Sequence, residues 1–236
     1  MLKAFEPQRE LDIGALSTFN DELRDILLQM DDGSFFADER YSLDLFRSLL
    51  CSLVAGQRGS LGRTKPGSWS IVPDDTGMDG DARIEFIFTP TYLVTAIMTR
   101  TLCDYPLLVE TIPHFEEALK RGLLFCSYRK LYGHGYDAWK DAAEALTILS
   151  MGKVPQALER DRSLCPELYR AVVDVTREMK NALSEDAAFG MWGEDLQNEY
   201  SSALETLNVV NDRETLEAIA GFGKDSELYS EEDLPW

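Results

Sequence analysis

The segment from Thr89 to Asp137 constrains the fold more than any other part of the chain, because it joins two helices of different character. Between Tyr92 and Cys103, apolar residues fall on nearly every side of a helical projection. A helix of this composition is buried all round in a globular protein. A narrow line of threonines, Thr91, Thr95 and Thr99, occupies the remaining side.

The second helix of this segment, from Phe115 to Cys126, is amphipathic. Its apolar residues recur at the i, i+3, i+4 spacing of a single helix face. The other face carries two oppositely charged pairs at i, i+4 spacing, which are Glu116 with Lys120 and Glu117 with Arg121. The segment therefore predicts a hairpin with a buried inner helix and an outer helix whose charged face contacts solvent.

Capping residues predict where several helices begin. Thr89 is a good N-cap for the inner helix, where Pro90 suits the first turn. Ser17 lies near the start of an amphipathic first helix, and Asp137 can cap the helix that follows the hairpin. A further helix is expected from about residue 39 to Ala55.

The first helices of successive hairpins begin near residues 39, 91, 138 and 194, at intervals of roughly 50 residues. Repeats of this length built from helix–turn–helix units are typical of solenoids and toroids. We therefore expect an all-α fold of helical-hairpin repeats, with a single helical domain over residues 1–223. The acidic segment 224–236 is expected to be a loosely ordered tail.

One segment has the composition of β-strands. Trp69–Val72 and Arg83–Phe88 are short and rich in residues that favour β-structure, and turn-forming residues lie between them. The sequence therefore predicts a small β-hairpin insertion near residues 69–88.

The net charge of −19 at pH 7 argues against nucleic-acid binding, which needs a basic surface for the phosphates. An acidic mimic of DNA is the alternative, but the acids are mixed with lysines and arginines, as is usual for a soluble protein. No run of eighteen apolar residues predicts a membrane span, and no secretory signal is visible. The four cysteines form no Cys-x-x-Cys pair, so we expect reduced, buried thiols in a cytoplasmic protein.

Three short turns resemble the Q-x-x-D-G-x-W/F turn that closes hairpins in the α/α-toroid proteins. Gln29–Phe35 is similar to it, and Pro66–Trp69 and Gly133–Tyr136 look like looser versions. That group includes terpenoid cyclases, protein prenyltransferases and six-hairpin glycosidases, whose pockets open at the centre of a ring of inner helices. The resemblance implies a toroid, and because a full ring of six hairpins needs a longer chain, we expect a partial ring or arc.

Two acids in the predicted hairpin loop are candidate catalytic residues. Asp74-Asp75-Thr76 resembles the D-x-D-D-T motif of class II terpenoid cyclases, in which an Asp protonates the substrate. Val72 stands where that motif has its first Asp, and the alternative is a loop whose Asp and Gly residues set the backbone geometry. The loop also matches part of a calcium-binding loop, but Phe86 replaces its bidentate acid. We therefore expect no metal, and no fingerprint of a cofactor-binding site is present.

His134 is the third catalytic candidate. It lies in a glycine turn where Tyr136 or Asp137 could orient it as a general acid or base. The alternative is a C-capping glycine, an exposed histidine and an N-capping aspartate. If the hairpins stack, this turn approaches the predicted loop, and we expect Asp75 and His134 to lie within about 15 Å of each other.

These observations lead to two functional interpretations. In the first, the protein is an enzyme or a small-ligand-binding protein with a pocket at the rim of the inner helices. The predicted ligand-binding residues of that pocket are Trp69, Glu85, Tyr92, Tyr136 and Asp137. In the second, it is a scaffold that binds other proteins, as helical-repeat folds often are. A deep polar pocket favours the first interpretation, and a shallow face favours the second, so the partner is an unknown small molecule or protein.

Overall fold

The computed structural model describes residues 12–37, 42–59, 66–73, 84–128 and 136–184. These ranges contain eight α-helices and no strand, which confirms the predicted all-α class. The helices in chain order are α1 (Ile13–Asp31), α2 (Leu43–Ala55), α3 (Thr89–Asp104), α4 (Pro106–Val109), α5 (Phe115–Ser127), α6 (Tyr136–Met151), α7 (Val154–Arg160) and α8 (Pro166–Ser184). A 3₁₀ turn, Phe35–Ala37, precedes α2, and a π-helical turn, Ile84–Phe88, leads directly into α3.

Helix α3 is the centre of the described fold. Every residue from Thr89 to Thr101 is buried, and α1, α5 and α6 all pack against this helix. Its threonine hydroxyls bond to carbonyls one turn earlier, from Thr91 to Ile87 at 2.6 Å and from Thr99 to Thr95 at 2.8 Å. These bonds satisfy hydroxyls that would otherwise be costly to bury. The predicted inner helix is therefore confirmed.

Helix α5 approaches α3 closely because it carries a glycine at the crossing. A Cβ at Gly122 would lie 2.4 Å from the ring of Trp69 and 2.9 Å from Thr95 Oγ1. The indole N–H of Trp69 donates to the Leu53 carbonyl of α2 at 2.6 Å, and its backbone N–H donates to Thr91 Oγ1 at 3.0 Å. Trp69 therefore joins α2, α3 and α5 around one buried ring. The predicted apolar stripe of α5 is buried, as Phe115, Ala118, Leu119, Gly122, Leu123 and Cys126 show.

The structure corrects the predicted β-hairpin. Trp69–Val72 has no strand partner among the described residues, and Ile84–Phe88 forms a π-helical turn instead of a strand. Phe86 and Ile87 are buried in a small apolar cluster with Leu16. Aromatic and β-branched residues favour strands mainly because they suit buried surfaces, and here burial beside a helix satisfies the same preference.

The start of α1 also differs from the prediction. The helix begins at Ile13, and the Asp12 carboxylate caps it by accepting from the Ala15 N–H at 3.2 Å. Ser17, predicted near the start as a cap, lies inside the helix, more than one turn later. Aspartate and serine are equally good N-caps, so the residue type alone does not show which of the two begins the helix.

Two further predicted caps lie inside helices. Phe88 already has helical backbone angles and no side-chain cap, because α3 continues directly from the π-helical turn. Thr89 is therefore a helical residue, although Pro90 does lie in the first turn as predicted. Asp137 is the second residue of α6, which begins at Tyr136.

The predicted repeat is only partly within the described residues. Helices expected to start near 39, 91 and 138 are observed to start at Leu43, Thr89 and Tyr136. The start near residue 194 and the acidic tail lie outside the described ranges. The short helices α4 and α7 were not predicted. The hairpin repeat and the partial toroid therefore stay predictions.

One helix in the described part of the chain, Phe86–Asp104, is long and apolar enough to cross a membrane. From the sequence, no membrane span is expected. Its most apolar window has a mean hydropathy of 1.2 and is 78% buried inside the protein. Because the core helix of a globular protein meets the same criterion, length and composition alone do not assign this helix to a membrane.

Gly152, between α6 and α7, gives the first testable prediction. A Cβ at this position would lie 2.4 Å from Ala96 Cα and 2.7 Å from the Ala96 carbonyl oxygen on α3. Since the backbone of a buried helix cannot move aside cheaply, we expect Gly152→Ala to lower the free energy of unfolding by roughly 1–3 kcal/mol. Urea denaturation measures this change.

Gly14→Ala is the matched control, since a Cβ there meets only Asp12 Oδ1 at 3.4 Å. Helix propensity dominates at this site, so the free energy of unfolding should stay unchanged or rise by up to about 1 kcal/mol. An equal loss in both variants would contradict the close approach of α3 at Gly152.

Candidate functional site

Several residues predicted from the sequence to form a site lie outside the described part of the chain. These are the catalytic candidates Asp74, Asp75 and His134. Their catalytic role and the expected distance between Asp75 and His134 stay predictions. Of the predicted ligand contacts, Glu85 belongs to the π-helical turn, and Tyr136 and Asp137 to the first turn of α6.

The other two predicted ligand contacts are core residues. The Trp69 side chain is completely buried, and its indole N–H is bonded to the Leu53 carbonyl. Tyr92 is 2% exposed, and its ring lies 6.4 Å from the ring of Phe88. The first turns of α3 are buried as well, so protein atoms surround both of these side chains.

A charged cluster around the buried Arg100 lies at the C-terminal end of α3. The Arg100 side chain, 11% exposed, donates to Asp104 Oδ2 at 2.8 Å, to Asp31 Oδ1 at 2.6 Å and to the Met151 carbonyl at 2.8 Å. Lys153 completes the cluster by pairing with Asp104 Oδ1. We call these five residues the Arg100 cluster.

The Arg100 cluster joins three helix ends. Asp31, Asp104 and Met151 are the last residues of α1, α3 and α6. Helix C-termini carry partial negative charge, which the two cations offset. Burial raises the pKa of the Asp104 carboxyl, but hydrogen bonds from Lys153 and Arg100 outweigh it and hold the pKa below its ordinary value. The charged groups of the cluster thus pair with one another, and the cluster connects the ends of three helices.

Replacing Arg100 tests that connection. We expect Arg100→Met to lower the free energy of unfolding by about 2–4 kcal/mol, because it leaves Asp104 and the helix ends without their buried partner. Arg170→Met is the control, since Arg170 is exposed on α8 and should change stability by less than about 0.5 kcal/mol. Equal effects of the two variants would show that the cluster contributes no more than an exposed charge.

The same cluster predicts a dependence of stability on pH. The folded-state pKa of Asp104 lies below the ordinary value of 3.8, so its contribution is present above that pH. The contribution is lost as the pH falls through the folded-state pKa. Between about pH 5 and pH 3, Arg100→Met should therefore lose less stability than the unaltered protein. The free energy of unfolding is measured by urea denaturation at each pH. An equal loss for the two proteins as the pH falls would contradict this prediction.

The cysteines show little sign of reactivity. Cys126 and Cys165 are buried, and burial raises the pKa of their thiols to about 12 and to about 11. Cys51 and Cys103 are partly exposed, so the predicted burial is confirmed for two of the four. Protonated thiols are poor nucleophiles and poor metal ligands. Within the described ranges, no three His, Cys, Asp or Glu residues come together to hold a metal ion.

An open groove of about 690 Å³ lies beside the short helix α4. Its floor is apolar, and its rim carries charged and polar side chains where α5 begins. We call it the α4 groove. Val109, Ile112 and Phe115 belong to the floor, and Glu110, His114, Glu116, Glu117 and Lys120 belong to the rim.

His114 lies at the rim of the α4 groove, with a left-handed backbone conformation just before α5 (φ 60°). Its side chain is 77% exposed, and Nδ1 lies 3.5 Å from Glu117 Oε2. Glu117 Oε1 in turn lies 3.8 Å from Arg121 Nη1. An exposed pair of this kind lacks the dry, preorganised surroundings that acid–base catalysis uses. The groove therefore suits binding better than chemistry.

Three exposed apolar side chains lie on the 3₁₀ turn, on α2 and on α4. Phe36, Leu43 and Leu107 are 38%, 56% and 77% exposed. The ring of Phe36 lies 5.7 Å from that of Phe46 and 5.3 Å from that of Tyr105. Leu43 lies one turn before Phe46 on α2, and Leu107 follows Tyr105 by two residues. We call Phe36, Leu43 and Leu107 the apolar patch.

Comparison of the chain with protein-family models, curated proteins and solved structures gives no match. The functional argument therefore depends on the geometry of this chain alone. The sequence predicts neither the α4 groove nor the apolar patch, because the exposure of an apolar residue depends on which residues pack around it in the folded chain. The one signal that could have found them is Pro106 followed by two leucines, an apolar turn outside any periodic helix.

Proposed function

We propose that this protein is a helical scaffold that binds another protein through the surface around α4. The apolar patch is the observation that supports this proposal. Large apolar side chains exposed together are costly in water, and on soluble domains such patches commonly mark interaction sites. The α4 groove adjoins the patch through α4, which contributes Leu107 to the patch and Pro106 and Val109 to the groove.

The shape of the groove agrees with a protein partner. Small-molecule pockets bury most of their ligand's surface. An open groove leaves one side of a small ligand in water, whereas a partner protein covers the groove and the patch together. Interfaces of this kind have an apolar centre and a polar rim, which is the arrangement of the floor and rim residues here.

The alternative is an enzyme or a small-ligand-binding protein. It rests on Asp74, Asp75 and His134, which lie outside the described ranges. Within those ranges, the charged groups of the Arg100 cluster bond to one another, and Trp69 and Tyr92 belong to the core. These observations support the scaffold over the enzyme.

Site-specific photo-crosslinking tests the proposal. A photo-reactive phenylalanine analogue at Leu107 should give a discrete crosslinked protein in extracts of the cells that produce this chain, because Leu107 lies within the proposed interface. The same analogue at Arg170, exposed on α8, is the matched control and should not give that product. Mass spectrometry of the crosslinked band identifies the partner and its contacting peptide.

Two results would overturn the proposal. One is the same set of crosslinked proteins from both positions, which would indicate random collision. The other is the absence of any protein adduct at Leu107 together with a small molecule retained by the purified chain, seen by native mass spectrometry. That result would favour the ligand-binding interpretation.

A further inference from the structure

Acidic side chains neighbour the apolar patch along the chain. Asp44 adjoins Leu43, Glu110 follows α4, and Asp32 follows α1 shortly before the turn that holds Phe36. All three acids are exposed, and among the described residues none of them is in an ion pair. Next to the patch in the chain, these acids therefore have no ion-pair partner within the described ranges.

Arg47, the cation on α2, is engaged in hydrogen bonds. Arg47 on α2 donates from Nε to Thr111 Oγ1 and from Nη2 to the Thr111 carbonyl, both at 3.1 Å. These bonds hold its guanidinium at the turn between α4 and α5. The net charge of −19 for the whole chain adds a long-range attraction for positively charged partners.

We propose that the apolar patch receives an amphipathic segment of a partner protein in which lysines and arginines flank the apolar face. This inference rests on the proposed function and names the chemistry of the partner. The apolar face of the segment covers Phe36, Leu43 and Leu107, and its cations lie opposite Asp44 and Glu110. A short amphipathic helix presents its apolar anchors along one face, at i, i+3 and i+7 spacing.

The same charges disfavour two other occupants of the patch. Anionic lipid headgroups are repelled by exposed carboxylates, so a membrane surface matches poorly. A second copy of this chain brings the same acids of both copies together, because a two-fold interface joins identical surfaces. A basic amphipathic segment complements both the acids beside the patch and its apolar side chains.

Peptide binding to the full chain tests this inference. The probe is a synthetic amphipathic helix of leucine and lysine, about 18 residues long, and its partner probe has glutamate in place of every lysine. Fluorescence anisotropy should show salt-sensitive binding of the lysine peptide and no binding of the glutamate peptide. Leu107→Ser and Glu110→Lys should each weaken the binding about tenfold.

Matched control variants separate a specific site from general attraction between opposite charges. Leu28→Ser removes another exposed leucine, 55% exposed on α1, and Asp21→Lys reverses another exposed acid on the same helix. Both should bind the lysine peptide within about twofold of the unaltered protein. Circular dichroism verifies that each variant is folded.

Four results would overturn the inference. The first two are equal weakening by the control variants and equally tight binding of the glutamate peptide. The third is self-association in sedimentation that Leu107→Ser abolishes, which would assign the patch to a second copy of this chain. The fourth is binding to phosphatidylserine vesicles that Leu107→Ser abolishes. If Leu107 crosslinks a partner through an acidic or neutral segment, this inference fails while the proposed function stands.

Discussion

The burial of α3 from Thr89 to Thr101 is the constraint on which the rest of the structure depends. A helix that exposes no face to water needs neighbours on every side, and α1, α5 and α6 supply them. Two glycines, Gly122 and Gly152, let those neighbours come close, because a Cβ at either position would overlap Trp69 or Ala96. The threonines of α3 remain compatible with burial because their hydroxyls bond to the preceding turn. The packing around α3 and the hydrogen bonds of its threonines thus stabilise the same buried position of this helix.

The C-terminal end of α3 determines where the candidate surface lies. Arg100 holds this end against the last residues of α1 and α6, and the chain then leaves the core at Tyr105 and Pro106. The four-residue helix α4 is too short to bury both of its faces. Val109 is buried, whereas Leu107 is 77% exposed. The exposed patch therefore lies near the place where the buried part of α3 ends, and the Arg100 cluster holds that end against α1 and α6.

The sequence predicted long elements well and local details less well. The helical periods of α3 and α5 were sufficient to identify an inner and an outer helix, since hydrophobic spacing reports directly on which face is buried. Ile84–Phe88 was mistaken for a strand, because its aromatic and β-branched residues suit any buried surface. The candidate site was not predicted. Phe36, Leu43 and Leu107 are apolar in the sequence like any core residue, and only their exposed fractions in the folded chain show that they lie at the surface.

The sequence by itself determined the all-α class, the buried character of α3 and the strongly acidic charge, because each of these depends on composition or on local spacing. The tertiary structure alone decided that Arg100 links three helix ends, that Trp69 and Tyr92 are core residues, and that the apolar patch is exposed. Those features depend on contacts between residues far apart in the chain. Asp31 and Arg100, for example, are 69 positions apart and meet only when α1 and α3 pack together.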